Sequence, residues 1–299
     1  MGVVLAAPAG ADASASATET TLGYNNARTN WDADEPGLTP TSVTASDFGK
    51  IFDTTLPGTT STTPNQLYAQ PILAHGTLIV ATEENLVAGL DPQTGALKWK
   101  RSLGIPWTPN GCGNLTPHVG VTATPVYDPD TDTVYVSAKA VDDGTTYQKL
   151  HALDPSTGQE RAGWPVTISG TLNGIRFNAD NANQRAALLL LDGSVYLGFA
   201  SHCDLGQYVG WVVGVNTASR QLSIWASETN QSSDEGGIWQ SGGGLVSDGP
   251  GRILLATGNG VSPPPGPGSQ PPSTLAESVV RLQVGGGGIL AAKDFFSPA

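Results

Sequence analysis

Gly89-Leu-Asp-Pro-Gln-Thr-Gly-Ala-Leu-Lys-Trp99 decides the fold, because it returns. It reappears as Ala152-Leu-Asp-Pro-Ser-Thr-Gly-Gln-Glu-Arg161 followed by Trp164, and more faintly as Gly214-Val-Asn-Thr-Ala-Ser-Arg-Gln-Leu222 followed by Trp225. A last echo is Val280-Arg-Leu-Gln-Val-Gly-Gly-Gly-Gly-Ile-Leu290. The turn-leading residues Asp91, Asp154, Asn216 and Gln283 are 63, 62 and 67 residues apart. A fixed period of this kind marks a repeat architecture. Each copy reads as an apolar strand, a turn and a second strand. Asp or Asn bonds its own backbone two residues on, and Gly supplies the positive φ. Trp99, Trp164 and Trp225 fall on the outgoing strands, where a large ring can pack on the next unit. One unit cannot bury its apolar faces alone; several around a hub can.

Working outward, four such units are expected, each an antiparallel sheet of about four strands, over 66–105, 118–170, 184–230 and 238–297. Asp192-Gly193 is a two-residue hairpin signal. Asp128-Pro-Asp-Thr-Asp132 has the composition of a calcium loop but lacks its Gly and distal Glu, so a plain hairpin turn is expected. Ser262–Pro272 is Pro-rich and reads as a stiff exposed excursion. Upstream, Phe52 and Leu56 match Trp99 and Leu103 in type and spacing. The stretch 47–57 therefore reads as the last strand of a unit whose other strands are elsewhere. The fold expected is an all-β propeller of about four blades plus an orphan N-terminal closing strand, part of a ring of seven or eight.

Composition agrees. The chain has 299 residues, 38 Gly and 22 Pro, and only 13% charged residues. A net charge of −12 with 14 Lys and Arg argues against nucleic acid as a partner. Residues 1–24 read as a signal-like or disordered tail, with an Ala-x-Ala pattern at Ala13–Ala15. That points to export, secreted or periplasmic. No stretch is long enough to span a bilayer as a helix. Cys112 and Cys203 form one disulfide in an exported protein, or are two buried thiols.

The repeat resembles that of the quinoprotein alcohol dehydrogenase-like family, with its pyrroloquinoline quinone (PQQ) type repeats: Ala-x-Asp-x-x-Thr-Gly-x-x-x-Trp. Gly89–Trp99 fits at all but the first position, and Ala152–Gly158 fits the front half with the Trp displaced by two. Leu38–Phe52 looks like the family's N-terminal closing strand. The resemblance covers residues 25–299. It implies a quinone on the ring axis over Ca²⁺, with Asp204 in Ser201-His-Cys-Asp204 and Asn259 in Thr257-Gly-Asn259 as metal ligands. Arg185 suits a quinone carboxylate, Gln240 and Ser241 can face the axis, and Trp239 can substitute for the family's stacking Trp. The departures are equally plain. Cys112 is followed by Gly113, so the adjacent-cysteine platform is missing, and no general base is assigned. Two functions stay open: an exported relative of PQQ- and Ca²⁺-dependent alcohol or sugar dehydrogenases, whose own catalysis is in doubt, or a non-catalytic scaffold that binds protein or polysaccharide.

Overall fold

The computed structural model describes residues 6–7, 19–32, 35, 37–59, 65–109, 111, 115–230 and 235–298. Four antiparallel sheets follow one another along the chain. Sheet one comprises β1 (Ile72–Ala74), β2 (Thr77–Ala81), β3 (Leu86–Leu90) and β4 (Leu97–Ser102). Sheet two comprises β5 (Ile105–Pro106), β6 (Val126–Asp128), β7 (Thr133–Asp142), β8 (Thr145–Leu153) and β9 (Val166–Thr167). Sheet three comprises β10 (Ala182–Asn183), β11 (Leu189–Leu191), β12 (Ser194–Ser201), β13 (Trp211–Asn216) and β14 (Leu222–Ala226). Sheet four comprises β15 (Arg252–Ala256), β16 (Gly266–Gly268), β17 (Val279–Val284) and β18 (Leu290–Ser297). The strands β2 and β12 are buried at every position, because a sheet packed on both faces has no wet side.

The turns form as their chemistry dictates. Asp91 Oδ1 accepts from the amides of Gln93 and Thr94, Asp154 Oδ1 from Ser156 and Thr157, and Asn216 Oδ1 from Ala218 and Ser219. Asp192 and Gly193 both take positive φ between β11 and β12. Asp128–Asp132 is a hairpin turn closed by Asp128 accepting from the Asp130 amide and the Thr131 hydroxyl.

The apolar core lies in layers between successive sheets. One layer joins sheets one and two through Ile79, Trp99 and Val136. The next joins sheets two and three through Leu150, Leu197 and Val213. A third joins sheets three and four through Tyr196, Trp225 and Leu282. A smaller layer covers the other face of sheet one, where Leu56 and Phe52 meet Leu78, Val80 and Leu90. The Trp99 ring lies between Gly89 of its own sheet and Gly158 of the next, and a Cβ at either glycine would overlap it. Its Nε1 donates to Pro155 O at 2.9 Å. Phe52 meets Gly95 in the same way, with Thr54 Oγ1 donating to Gly95 O at 2.9 Å. Gly95 and Gly158 share a φ of +69°. The segment around Phe52 thus does for sheet one what β4 does for sheet two, as the orphan-strand expectation requires. Within it, Pro40–Val43 is a helical turn capped by Thr39, and only Gly49–Lys50 is strand, paired with Ala6–Ala7.

Two tryptophans depart from the expected pattern. Arg220, at φ 62°, stands where Gly158 stands, so its side chain takes the place of a docked ring in the second interface. Trp164 packs instead on Tyr135, with centroids 5.4 Å apart. The residue opposite Gly214 is Ser223, whereas Trp225 lies opposite Val212. Sheet four also departs. The expected inner strand at 243–246 reduces to two isolated bridges, Val246 with Leu254 and, across to sheet three, Gly244 with Ala187. The Pro-rich excursion supplies an outer strand instead, as β16 pairs with β18 from Gly266–Ser297 to Gly268–Phe295. Proline is tolerated there because an edge strand needs no donor on its free side.

Residues 19–24, assigned from sequence to the tail, belong to the hub. Glu19–Asn30 runs across the inner strands of all four sheets. Leu73 N donates to Glu19 O, Tyr127 N to Thr20 O, the Asn26 amide to Leu190 O, and Ser247 N to Asn26 O. Arg28 spans sheets three and four, donating to Leu188 O at 2.8 Å and Leu245 O at 3.2 Å. Burial lowers the pKa of this guanidinium to about 10. Trp31, just beyond, is 69% exposed.

Candidate functional site

With its other end strapped, the hub opens as a cup of about 470 Å³. Leu22 of the strap is in its lining. Tyr68 and Gln70 enter it ahead of β1, Thr122 and Thr124 ahead of β6, Arg185 ahead of β11, and Ser241–Gly243 on the way to sheet four. Every sheet contributes, as a shared axial site requires. Two of the walls are tied together by the Gln70 amide donating to Thr124 Oγ1 at 2.9 Å. The Ser241–Gly243 wall is held by Gln240, whose Nε2 donates to Gly244 O at 2.7 Å.

Behind Thr122 stands Glu83, at the end of β2 and 1% exposed. Its Oε2 accepts from Gly120 N at 2.7 Å and Thr122 Oγ1 at 3.0 Å, and its Oε1 is buried without a partner. Burial pushes the carboxyl up to about 7, against those two hydrogen bonds and the nearby positive charge of Arg185. The Arg185 Nε is likewise buried and unpartnered, as are Gln184 Oε1 and both amide atoms of Asn183. Buried polar atoms without partners are uncommon, and a cluster of them calls for an explanation.

A second buried polar group lies nearby, at the ends of β7 and β12. Lys139 is 2% exposed and donates to Asp180 O at 2.9 Å and Ala182 O at 3.0 Å. Its Nζ lies 4.0 Å from the Trp107 ring centroid. Burial lowers its pKa to about 7. His202 stacks on Trp107 at 4.8 Å and 29°. Burial first, and then Lys139, push the His202 imidazole down to about 3, so it is neutral at any ordinary pH.

Of the residues singled out from the sequence for the axial site, Arg185 and Ser241 line the cup, and Trp239 and Gln240 do not. Trp239 lies against Gly258, in the Asn259 loop, where a Cβ on Gly258 would meet its ring. Gln240 acts on the cup only through the Ser241–Gly243 turn. Asp204 and Asn259 lie in loops stitched to consecutive residues: Glu235 N donates to Tyr208 O and Gly236 N to Asn259 O. The Tyr208 hydroxyl donates to Asp204 Oδ1. Both candidate ligands are exposed, and among the described residues no three His, Cys, Asp or Glu side chains come together as a metal set. The two ligands offer one carboxylate and one amide oxygen, donor types that a hard cation takes, on loops of sheets three and four. Cys203 is not a free thiol, while Cys112 lies outside the described residues.

Sequence reasoning missed Glu83 and Lys139. Glu83-Glu84-Asn85 reads as a polar turn, and nothing local says that the first carboxylate points inward. Lys139 did carry a signal, being the one charge in the run Val134–Val141.

A family model described as "Outer membrane protein assembly factor BamB", of PQQ-like repeats, matches residues 40–259. Among solved structures, the quinohemoprotein alcohol dehydrogenase from Comamonas testosteroni is similar at 15% identity and a TM-score of 0.56, over 96% of this chain and 42% of that one. BamB from Moraxella catarrhalis is similar at 16% identity and a TM-score of 0.41, over 85% of this chain and 69% of that one. The chain thus spans less than half the length of the dehydrogenase whose propeller fold it shares. No curated protein matches it.

Proposed function

The chain belongs to the BamB-type PQQ-repeat family, and from that premise we propose that its axial cup binds a small planar polycarboxylate of the quinone class. One observation carries this reading: Arg185, with a buried unpartnered Nε, stands in the wall of a cup to which all four sheets contribute. A guanidinium is the natural partner of a carboxylate, which it can take with two parallel hydrogen bonds. The volume lies within the range usual for small-molecule sites. Thr122, Thr124, Ser241 and Tyr68 supply hydroxyls that orient the ligand. Below about pH 7, Glu83 is protonated, and its neutral carboxyl behind Thr122 does not repel an anion.

PQQ fits such a cup through its carboxylates, and when bound it supplies two-electron redox chemistry. The chain's own residues bind and orient it, but none is placed as a general base, so oxidation of an alcohol or sugar by this chain alone is not part of the reading. Calcium is not required by it either. We place the protein outside the cytoplasm, secreted or periplasmic, with Cys112 as the partner of Cys203. Among the described residues, no helix is long and apolar enough to cross a membrane.

The test is calorimetric titration of the chain with PQQ, with and without Ca²⁺. One-to-one binding is expected, weakened at least tenfold by Arg185→Gln. Equal affinity in the variant would refute the role of Arg185. No uptake by the unaltered chain in either buffer would leave the second reading, a scaffold that binds protein or polysaccharide. The family match favours that alternative, since the family is described by an assembly factor.

A further inference from the structure

Away from the hub, a second pocket opens on the rim of sheet three. Its lip is a two-stranded hairpin, Thr171–Leu172 paired with Ile175–Arg176. Asn173 and Gly174 make the turn, both at positive φ, the conformation that an Asn-Gly pair favours. The hairpin is fixed at its base. Phe177 N donates to Gly170 O at 3.0 Å, and a Cβ on Gly170 would come within 3.0 Å of Ile224 Cδ1 in β14. The buried Phe177 ring packs edge-on against Phe199 and Trp211, with centroids 5.0 and 6.1 Å away.

A second wall is the segment 178–182. Asn178 Oδ1 accepts from Asp180 N at 3.0 Å, and Asn181 O accepts from His202 N at 2.9 Å, which ties this wall to the end of β12. The third wall runs from Gln207 to Trp211, where the Tyr208 hydroxyl donates to Asp204 Oδ1. The three walls enclose about 290 Å³, at the lower end of the range for small-molecule sites.

The lining decides what fits. Three carboxamides, Asn178, Asn181 and Gln207, share it with one cation, Arg176, and no carboxylate. Two large aromatic rings complete it, Tyr208 at 8% and Trp211 at 4% exposure. Among the described residues, neither the Arg176 guanidinium nor the Asn181 side-chain amide makes a hydrogen bond or an ion pair. A cationic ligand finds no counter-charge in this lining. An anion meets a single exposed guanidinium on a chain of net charge −12, with Asp180 and Asp204 in the walls' own hydrogen bonds. A neutral polyol meets neither obstacle. Each carboxamide sets a donor beside an acceptor, which is what adjacent hydroxyls need. The aromatic rings supply the apolar surface that the C–H face of a saturated ring covers.

We propose that this pocket binds one neutral pyranose ring, free or at the end of a glycan. Its hydroxyls bond to Asn178, Asn181 and Arg176, and its C–H face lies on Tyr208 and Trp211. No residue is shared with the axial cup, so the inference stands whether or not a quinone binds there.

The probes are the methyl β-glycosides of glucose, galactose and mannose, observed by saturation-transfer NMR with the full chain. At least one is expected to receive saturation. With irradiation confined to aromatic protons, transfer should be strongest at the C–H positions of one ring face. Asn181→Ala and Arg176→Met each remove one donor and are expected to weaken binding about fivefold, and about 25-fold together. Neither side chain belongs to an apolar layer, and Asn178→Ala replaces either variant that fails to fold. The trisaccharide of the sugar that binds separates the two sources: a glycan end if it binds as tightly as the glycoside, a free sugar if it is excluded. No transfer to any of the three glycosides would overturn the proposal. So would undiminished binding by the double variant, displacement of the sugar by PQQ, or tighter binding of methyl β-glucuronide than of methyl β-glucoside.

Discussion

Trp99→Ala is the perturbation that bears hardest on how the sheets are joined. The indole is 9% exposed, lies between Gly89 and Gly158, and donates to Pro155 O at 2.9 Å. Truncating a buried Trp to Ala costs about 3–5 kcal/mol, because transfer and cavity terms add. The lost hydrogen bond contributes about 1 kcal/mol of that, and leaves the Pro155 carbonyl dependent on water. Glycines on both faces cannot collapse into the space, which argues for the upper half of the range. Trp99→Phe keeps one ring and loses the Nε1 bond, so about 1–2 kcal/mol is expected. In a stack of units, each touching only its neighbours, the loss stays local. Urea unfolding followed by hydrogen exchange reads both quantities. Amides of β3, β4 and the Asp154–Gly158 turn should exchange faster, while those of β15, β17 and β18 keep their protection. A cost below about 1 kcal/mol, or loss of protection spread evenly into sheet four, would refute docking as the joint between sheets.

Lys139 sets a pH dependence. Its folded pKa, about 7, lies below the ordinary 10.5. Between those values the unfolded chain holds a proton that the folded one does not, so stability should rise with pH from 7 toward 10.5. The slope cannot exceed about 1.4 kcal/mol per pH unit for one proton. Lys139→Met should remove that slope in denaturation curves taken at successive pH values; an unchanged slope would mean that the amine is solvated. Glu83 works with the opposite sign. Its folded pKa, about 7, lies above the ordinary 4.5, so its contribution is present below 4.5 and is lost as pH rises through 7. Glu83→Gln should flatten that part of the profile. Arg28→Met should cost about 2–4 kcal/mol, because it leaves the Leu188 and Leu245 carbonyls without their charged donor, and should expose Glu19–Asn30 to limited proteolysis.

Much of the fold was legible because the repeat's chemistry is local. Asp91, Asp154 and Asn216 close their turns with bonds to residues two and three ahead, and Asp192-Gly193 closes its hairpin with two positive φ angles. Phe52 could be matched to Trp99 by type and spacing alone. Trp164 and Trp225 could not be placed so. Spacing put them near the docking position, but whether a ring docks depends on a glycine in the following unit, and Arg220 takes that glycine's place. The strap was unreadable for a related reason: Glu19–Asn30 is polar and aperiodic, and its bonds run to carbonyls and amides far along the chain, such as Leu188 and Ser247. In the cup, Arg185 was legible as a cation needing an anion. Glu83 was not, because its burial follows from Gly120 and Thr122 of the next sheet.

The claim that matters most is that the axial cup, with Arg185 in its wall, is where the ligand sits. The most direct measurement is a diffraction experiment on crystals of the chain soaked with PQQ. The account predicts difference density inside the cup, with a carboxylate within hydrogen-bonding distance of the Arg185 guanidinium and the strap residue Leu22 beneath it. Density confined to the outer surface, or a quinone in the hub turned away from Arg185, would contradict it.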